Sequence, residues 1–220
     1  MQRLLDIFFS GLALVLFSPL LIPIVIGLRL TGEGEIFYVQ QRVGKDGKLF
    51  GLLKFATMLK DSPNLGTGLI TTKNDPRVTP MGGFLRRTKI NELPQLLNIF
   101  FGTMSVIGPR PQAEGHFDVF PEHVKKEIIK VKPGLSGIGS IVFRDEETII
   151  ENSPLSHEDC YNNVIAPYKG ELEIWYINNQ SLYLYLSLIF LTIWVVLNSE
   201  SDLVNKMFPN LPPMPKELVT

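Results

Sequence analysis

Two uncharged, strongly apolar stretches frame the chain, and a more finely patterned middle lies between them. Residues 7–28 carry no charge between Asp6 and Arg29, and residues 174–199 carry none between Glu173 and Glu200. A helix of about 20 apolar residues is long enough to cross a bilayer, so both stretches qualify by length. The first is interrupted by Pro19 and Pro23. Pro19 lacks an amide hydrogen and its ring crowds the carbonyl four residues earlier, which predicts a kink at 15–18. The hydroxyl of Ser18 is placed to satisfy a backbone group freed there. Arg3 and the amino terminus flank one end and Arg29 the other, so charge selects no orientation. A kinked span and a segment that turns back inside the bilayer both stay open. No small-residue cleavage site follows, which argues against a signal peptide. In the second stretch Asn178, Asn179 and Gln180 shorten the apolar part to 181–197, where Tyr183, Tyr185 and Trp194 favour the water–lipid boundary. This predicts a buried or interfacial helix rather than a span.

The middle opens strand-like in EIFYVQQRVGKDGKLFGLLKFATM, where Lys45-Asp46-Gly47 marks the turn of a hairpin. Residues 61–83 read as a long loop of turn dipeptides. Short helices are expected at 84–88 and 91–101, the second with Pro94 in its first turn. That reading puts Asn91 at or just before the N-cap and Glu92 in the first turn, where backbone amides favour anions. FPEHVKKEIIKVK has the pattern of an amphipathic helix ended by Pro133-Gly134, and the tail FPNLPPMPKELVT reads as extended.

Composition narrows the function. The 220 residues suggest one domain with an appendage, 45% are hydrophobic, and mean hydropathy is +0.16. A net charge of -1 gives no bulk argument for a nucleic-acid partner. The single cysteine, Cys160, rules out an internal disulfide, and no base pattern marks it as a nucleophile. His116, His123 and His157 lack metal-ligand spacing, so no zinc site is expected. Basic residues recur at Arg42, Lys54, Arg77, Arg86, Arg87, Lys89, Arg110 and Arg144. Each alone is a solvated charge; together they suit a phosphorylated ligand. Arg110 is the best single candidate: its flanking prolines limit the entropy lost on fixing it, and Gly108 permits close backbone approach. Asp75 in KNDPR is read as turn-forming, with metal ligation as the alternative. The acidic run in FRDEE is read as a charged helix start that could approach the site.

Four stretches follow in a familiar order: LVLFSPLLIPI, QQRVGKDGKLFGLLKFATM, NDPRVTPMGGFLRRTKINELPQLLNIFFGTMSVIGPRP and KVKPGLSG. The chain thereby resembles the bacterial sugar transferases, the monotopic polyprenyl-phosphate sugar-1-phosphate transferases, over about residues 3–145 with a weaker echo to about 195. The resemblance implies an α+β fold: a re-entrant membrane helix hairpin bent at Ser18-Pro19, then a small helix-rich catalytic domain with a β-hairpin and interfacial amphipathic helices. It divides the chain into a 1–30 anchor, a 31–205 phosphoglycosyl transferase domain and a 206–220 proline-rich tail. It implies transfer of a sugar-1-phosphate from a UDP-sugar to polyprenyl (undecaprenyl) phosphate at the cytoplasmic face of the bacterial inner membrane. UMP would be released with Mg2+ assisting, as the first step of O-antigen, capsule or exopolysaccharide assembly. Membrane lipids are implied partners, and a homo-oligomer is left open.

The family's catalytic pair is Asp-Glu at the head of the LPQL helix, with basic residues at positions matching Lys54, Arg86 and Arg110. Arg144 is placed with them as a phosphate ligand. Here the attacking aspartate is replaced by Asn91, a poor nucleophile beside a carboxylate. Glu92 is therefore expected to carry the catalysis, as nucleophile or as metal ligand, with Asn91 orienting a phosphate oxygen. A catalytically silent, membrane-bound scaffold or regulator of glycan assembly is the alternative.

Overall fold

The computed structural model describes residues 1–62, 75–198 and 201–218. Most of the loop expected at 61–83 lies outside them. In chain order come α1 (Gln2–Leu30), β1 (Phe37–Val43), β2 (Leu49–Phe55), α2 (Pro80–Arg87), α3 (Gln95–Phe101) and β3 (Ser105–Ile107). Then follow α4 (Glu114–Asp118), α5 (Glu122–Ile128), β4 (Gly134–Ser136), α6 (Ile138–Val142), α7 (Glu146–Asn152) and α8 (His157–Cys160). The last helices are α9 (Ala166–Asn178), α10 (Leu182–Leu197) and α11 (Leu203–Met207). Among the described residues, the mixture of helices with two small two-stranded sheets bears out the α+β class. Two compact units emerge: an anchor unit of Ile7–Gln41 and Gly51–Phe101, and a helical unit of Met1–Asp6, Arg42–Phe50 and Gly102–Thr220.

In the anchor unit, α1 continues as one helical element through Pro19 and Pro23. The Ser18 hydroxyl donates to the Val15 carbonyl at 2.7 Å. That carbonyl is the one Pro19 cannot serve, so the expected local repair is present. Only 11% of the most apolar window of α1 is buried, and Phe8, Val15, Leu16, Ile22 and Ile26 stand exposed. A core helix would bury this surface, so α1 fits association with a membrane. Its C-terminal turns do pack: Ile24 and Leu28 join Phe55 and Leu85 in one cluster, with Met81 and Ile90 at its edge. Each such side chain, fully buried, stabilises the unit by roughly 1.5–3 kcal/mol.

Two helix starts differ from the sequence reading. Helix α2 begins at Pro80, because the Thr79 hydroxyl accepts from the Gly82 amide at 3.0 Å and Pro80 occupies the first turn. The Thr-Pro and Gly-Gly pairs there looked like turn signals but form a capped helix start. Helix α3 begins only at Gln95. Asn91 and Glu92 lie instead in a separate 3-10 turn, Ile90–Glu92, entered through Lys89 in the left-handed conformation at φ 58. Asn91 is therefore not an N-cap, and the expectation that helix-start amides serve it is corrected.

In the helical unit, β3 and β4 pair in parallel, Ser105 opposite Gly134 and Ile107 opposite Ser136. This brings the GPRP and PGLSG motifs into backbone contact. Gly108 N donates to Ser136 O at 2.9 Å, and Gly134 N donates to Pro109 O at 2.8 Å. A Cβ on Gly108 would lie 2.5 Å from Lys132 O, and one on Gly134 2.1 Å from Gly108 N, so both positions exclude a side chain. The first turn of α1 also belongs here. Asp6, 2% exposed, accepts from Ser105 Oγ (2.8 Å), Val106 N (2.9 Å) and Tyr185 OH (2.8 Å) through its Oδ1. Burial pushes the Tyr185 phenol up, and its bond to Asp6 adds to the rise. Helix α10 buries Leu184, Tyr185, Leu188, Leu191 and Val195 and exposes Tyr183, Phe190, Ile193 and Leu197. With 16 residues it falls short of a span.

Candidate active site

The anchor unit gathers a carboxylate and an ammonium from well-separated parts of the chain. Lys54, near the end of β2, places Nζ 3.5 Å from Glu92 Oε1, with side chains 19% and 22% exposed. A sequence-distant clamp positions the strand that carries Lys54. Asn98 of α3 accepts from Leu53 N at 2.9 Å and donates to Gly51 O at 2.8 Å, so its amide stands in for a third strand along β2. An ion pair this exposed adds about 1 kcal/mol or less to stability. Its geometry matters more for chemistry: an accessible carboxylate sits beside a cation that can receive a phosphate oxygen.

Asn91 is buried at 9% exposure, and its Oδ1 has no hydrogen-bond partner among the described residues. A buried acceptor without a donor costs about 1–3 kcal/mol, so its retention calls for an explanation. Arg86, near the end of α2, is half-buried in the same unit. Asp75 holds a structural ion pair: Arg77 donates to Asp75 Oδ1 through its amide (3.0 Å) and Nε (2.9 Å), and to Oδ2 through Nη2 (2.6 Å). Both carboxylate oxygens are thus engaged at 7% exposure, in line with the turn-forming reading. The bond also raises the Arg77 guanidinium above its usual range.

Arg110 and Arg144 belong to the helical unit. Arg110 is exposed at the tip of the GPRP loop. Its charge, with that of Arg42, opposes the upward push that burial and Glu146 exert on the Tyr161 phenol. The Arg42–Arg110–Tyr161 grouping was not expected, since Tyr161 lies in no motif. The Arg144 guanidinium donates through Nη1 to the Val195 carbonyl, where it serves the C-terminal end of α10. Glu173 of α9 is 2% exposed, and its Oε1 lies close to Gly139, where an added Cβ would sit 2.5 Å away. Burial pushes its carboxyl up to about 7, opposed by the charge of Lys169 and by the nearby backbone N–H groups of Arg110 and Gly139. Cys160 is buried, and His123 pairs with Glu171 at 2.8 Å.

Among the described residues no three His, Cys, Asp or Glu side chains gather as a ready-made metal site. Magnesium does not require one. It binds through one or two protein oxygens while substrate phosphates and water complete the octahedron. Glu92 could offer one such oxygen, and Asn91 Oδ1, which has no hydrogen-bond partner among the described residues, a second.

Comparison with known proteins gives the family. The profile of the bacterial sugar transferases matches residues 1–199. Over 196 residues the chain is 37% identical to a UDP-glucose:undecaprenyl-phosphate glucose-1-phosphate transferase of Klebsiella pneumoniae, covering 88% of this chain and 39% of that protein. The exopolysaccharide production protein ExoY of Rhizobium meliloti is 32% identical over 206 residues, covering 87% of this chain and 83% of ExoY. An N-acetylgalactosaminephosphotransferase of Aeromonas hydrophila that acts on undecaprenyl phosphate is 32% identical over 198 residues, 89% of this chain and 43% of that protein. The chain spans about two-fifths of the length of the Klebsiella relative.

Proposed function

The chain belongs to the bacterial sugar transferase family, and from that membership we propose that it transfers a sugar-1-phosphate from a UDP-sugar to polyprenyl phosphate, releasing UMP. The observation that carries the reading is the Lys54–Glu92 pair: a partly accessible carboxylate 3.5 Å from an ammonium, directly after an asparagine whose buried oxygen lacks a donor among the described residues. The relatives' substrates, UDP-sugars and undecaprenyl phosphate, are the diphosphate and monophosphate anions such a pair would serve.

In this proposal one Glu92 oxygen attacks the β-phosphorus of the donor. The bridging bond between the α- and β-phosphates breaks, and its electron pair leaves with UMP. A polyprenyl phosphate oxygen then displaces the carboxylate, which regenerates Glu92 and yields the polyprenyl diphosphate sugar. Lys54 offsets the repulsion between the attacking carboxylate and the donor's charge. Arg86, in the anchor unit, and Arg110, in the helical unit, each offer a guanidinium fork suited to phosphate oxygens. Arg144 is the outlying member of the set, because its guanidinium already serves α10. Magnesium, bound by Glu92 and the Asn91 amide oxygen, would neutralise charge developing on the phosphates.

The polyprenol cannot leave the bilayer, so the reaction belongs at its surface. We place the enzyme at the cytoplasmic face of the inner membrane, with α1 bent at Ser18-Pro19 so that both its ends face the cytoplasm. The Ser18–Val15 bond supports a helix that tolerates that bend. Labelling of single cysteines placed at Arg3 and Thr31 tests it: reaction with an impermeant reagent from opposite sides overturns the re-entrant anchor.

The test of the chemistry is mass spectrometry after incubation with UDP-sugar. A phosphosugar adduct that maps to Glu92 supports the covalent route, and its absence while UMP still forms favours direct attack by the lipid phosphate. Asn91 at the nucleophile position favours a second reading, a silent relative that binds nucleotide sugar without turnover. Asn91→Asp separates the two. A rise from near zero to substantial UMP release supports the silent reading, and activity in the parent chain excludes it.

A further inference from the structure

Arg110 sits three residues past the end of β3, so whatever fixes that strand also fixes the loop that carries the guanidinium. We propose that Asp6, assisted by Gln2, is a positioning residue for donor binding: the opening turns of the membrane helix α1 hold β3 in register and thereby set Arg110 against the donor diphosphate. This deepens the reading of Arg110 given above and rests on it.

Among the described residues β3 has a single strand partner, β4. Side chains from three helices hold it elsewhere. Gln2 of α1 donates through Nε2 to Ser105 Oγ at 3.0 Å and, more loosely, to the Ile107 carbonyl at 3.4 Å. Ser105 Oγ and Val106 N in turn donate to Asp6 Oδ1 at 2.8 and 2.9 Å, and Tyr185 of α10 donates to the same oxygen at 2.8 Å. Tyr176 of α9 donates to the Ile107 carbonyl at 3.2 Å. Every residue of β3 is thus bonded by a side chain from outside its sheet. Beyond the strand, Gly108 N donates to Ser136 O and Gly134 N to Pro109 O, so the fixed register runs on to the residue before Arg110.

The choice of a carboxylate points to positioning. Apolar side chains would hold α1 against β3 at less cost, since burying a charge is expensive and a well-packed apolar replacement is often neutral or stabilising. Apolar burial, however, has no direction and does not set a strand along its own axis. Hydrogen bonds fix distance and angle, a charged acceptor makes them about twice as strong, and a satisfied buried network specifies one arrangement. Asp6 and Ser105 are each 2% exposed, so water does not compete for these bonds. Precision of this kind matters to a reacting phosphate, because a displacement of about 1 Å can cost about 100-fold in rate. Membrane attachment and donor recognition therefore share one element: the apolar stretch that follows Asp6 meets the bilayer, and the turns before it brace the strand that leads into Arg110.

The test is titration of UDP with Mg2+ into the full chain in detergent, with the parent, Asp6→Asn, Arg110→Gln and the double variant, and with melting temperatures measured on all four. Asp6→Asn is expected to weaken UDP binding about tenfold. In the Arg110→Gln background it is expected to leave UDP affinity where it is, since Asp6 acts on the donor only through Arg110, yet to lower the melting temperature as much as in the parent. A merely structural role would not produce that split. Should Asp6→Asn fold poorly, Gln2→Leu tests the same brace by removing the bonds to Ser105 and Ile107 while Asp6 stays in place, with an expected loss of about threefold in UDP affinity. Unchanged affinity in both variants, or equal losses with and without Arg110, overturns the positioning role alone. No UDP binding by the parent overturns the donor-site reading with it.

Discussion

The two units use a carboxylate beside a lysine in opposite ways. In the anchor unit Glu92 is 22% exposed and meets Lys54 at 3.5 Å, an open pair with little to gain in stability. In the helical unit Glu173 is 2% exposed and burial pushes its carboxyl up to about 7, while Lys169 turns to Glu146. Exposure decides the difference. A carboxylate within reach of solvent can meet a substrate; burial penalises the charged form of one that is sealed away. On the proposed reading, the same residue type serves chemistry in one place and architecture in the other.

The sharpest way to break the contrast is Glu92→Gln. It should lower UMP release by about 10^4-fold while leaving thermal unfolding in detergent nearly unchanged. Equal losses of rate and stability would show that Glu92 is architectural after all. Next comes the pH dependence of stability. Because Glu173 titrates at about 7 when folded against 4.5 for an unperturbed carboxyl, the folded chain binds more protons than the unfolded one between those values. Its contribution is therefore most favourable below about pH 4.5, is lost as pH rises through 7, and then levels off, over a range of about 3 kcal/mol at most. Glu173→Gln should flatten that slope in melting temperatures measured from pH 5 to 8, and Glu92→Gln should not.

Lys54→Met should cost about 100-fold in kcat/KM, the usual loss for one electrostatic contact to a reacting phosphate, with little change in unfolding. The smallest expected effect is that of Ser18→Ala. It removes one hydroxyl bond at an exposed position of α1 and should lower stability by about 1 kcal/mol or less. A much larger drop would mean that the bend in the anchor, rather than the packing of Ile24 and Leu28, holds that unit together.

What could be read in the sequence was local. The β-hairpin follows from its turn residues, the Ser18–Val15 repair from the position of Pro19, and the close approach at Gly108 from the absence of a side chain. The start of α2 was hidden because Thr79-Pro80 signals a turn and a helix cap equally well until Gly82 donates to the threonine. Asn91 and Glu92 were misplaced by a few residues because the left-handed Lys89 reverses the chain just ahead of them. The Asn98 clamp and the Arg42–Tyr161–Arg110 grouping join residues far apart along the chain. No spacing rule announces such contacts.

The Asp6 hub makes the greasy leader hard to discard. Its carboxylate is the acceptor for Ser105, Val106 and Tyr185 in the helical unit. A shortened protein beginning after residue 30, made to avoid detergent, would strand those donors in the interior. Solubility gained by trimming would be paid back as misfolding of the half that carries Arg110.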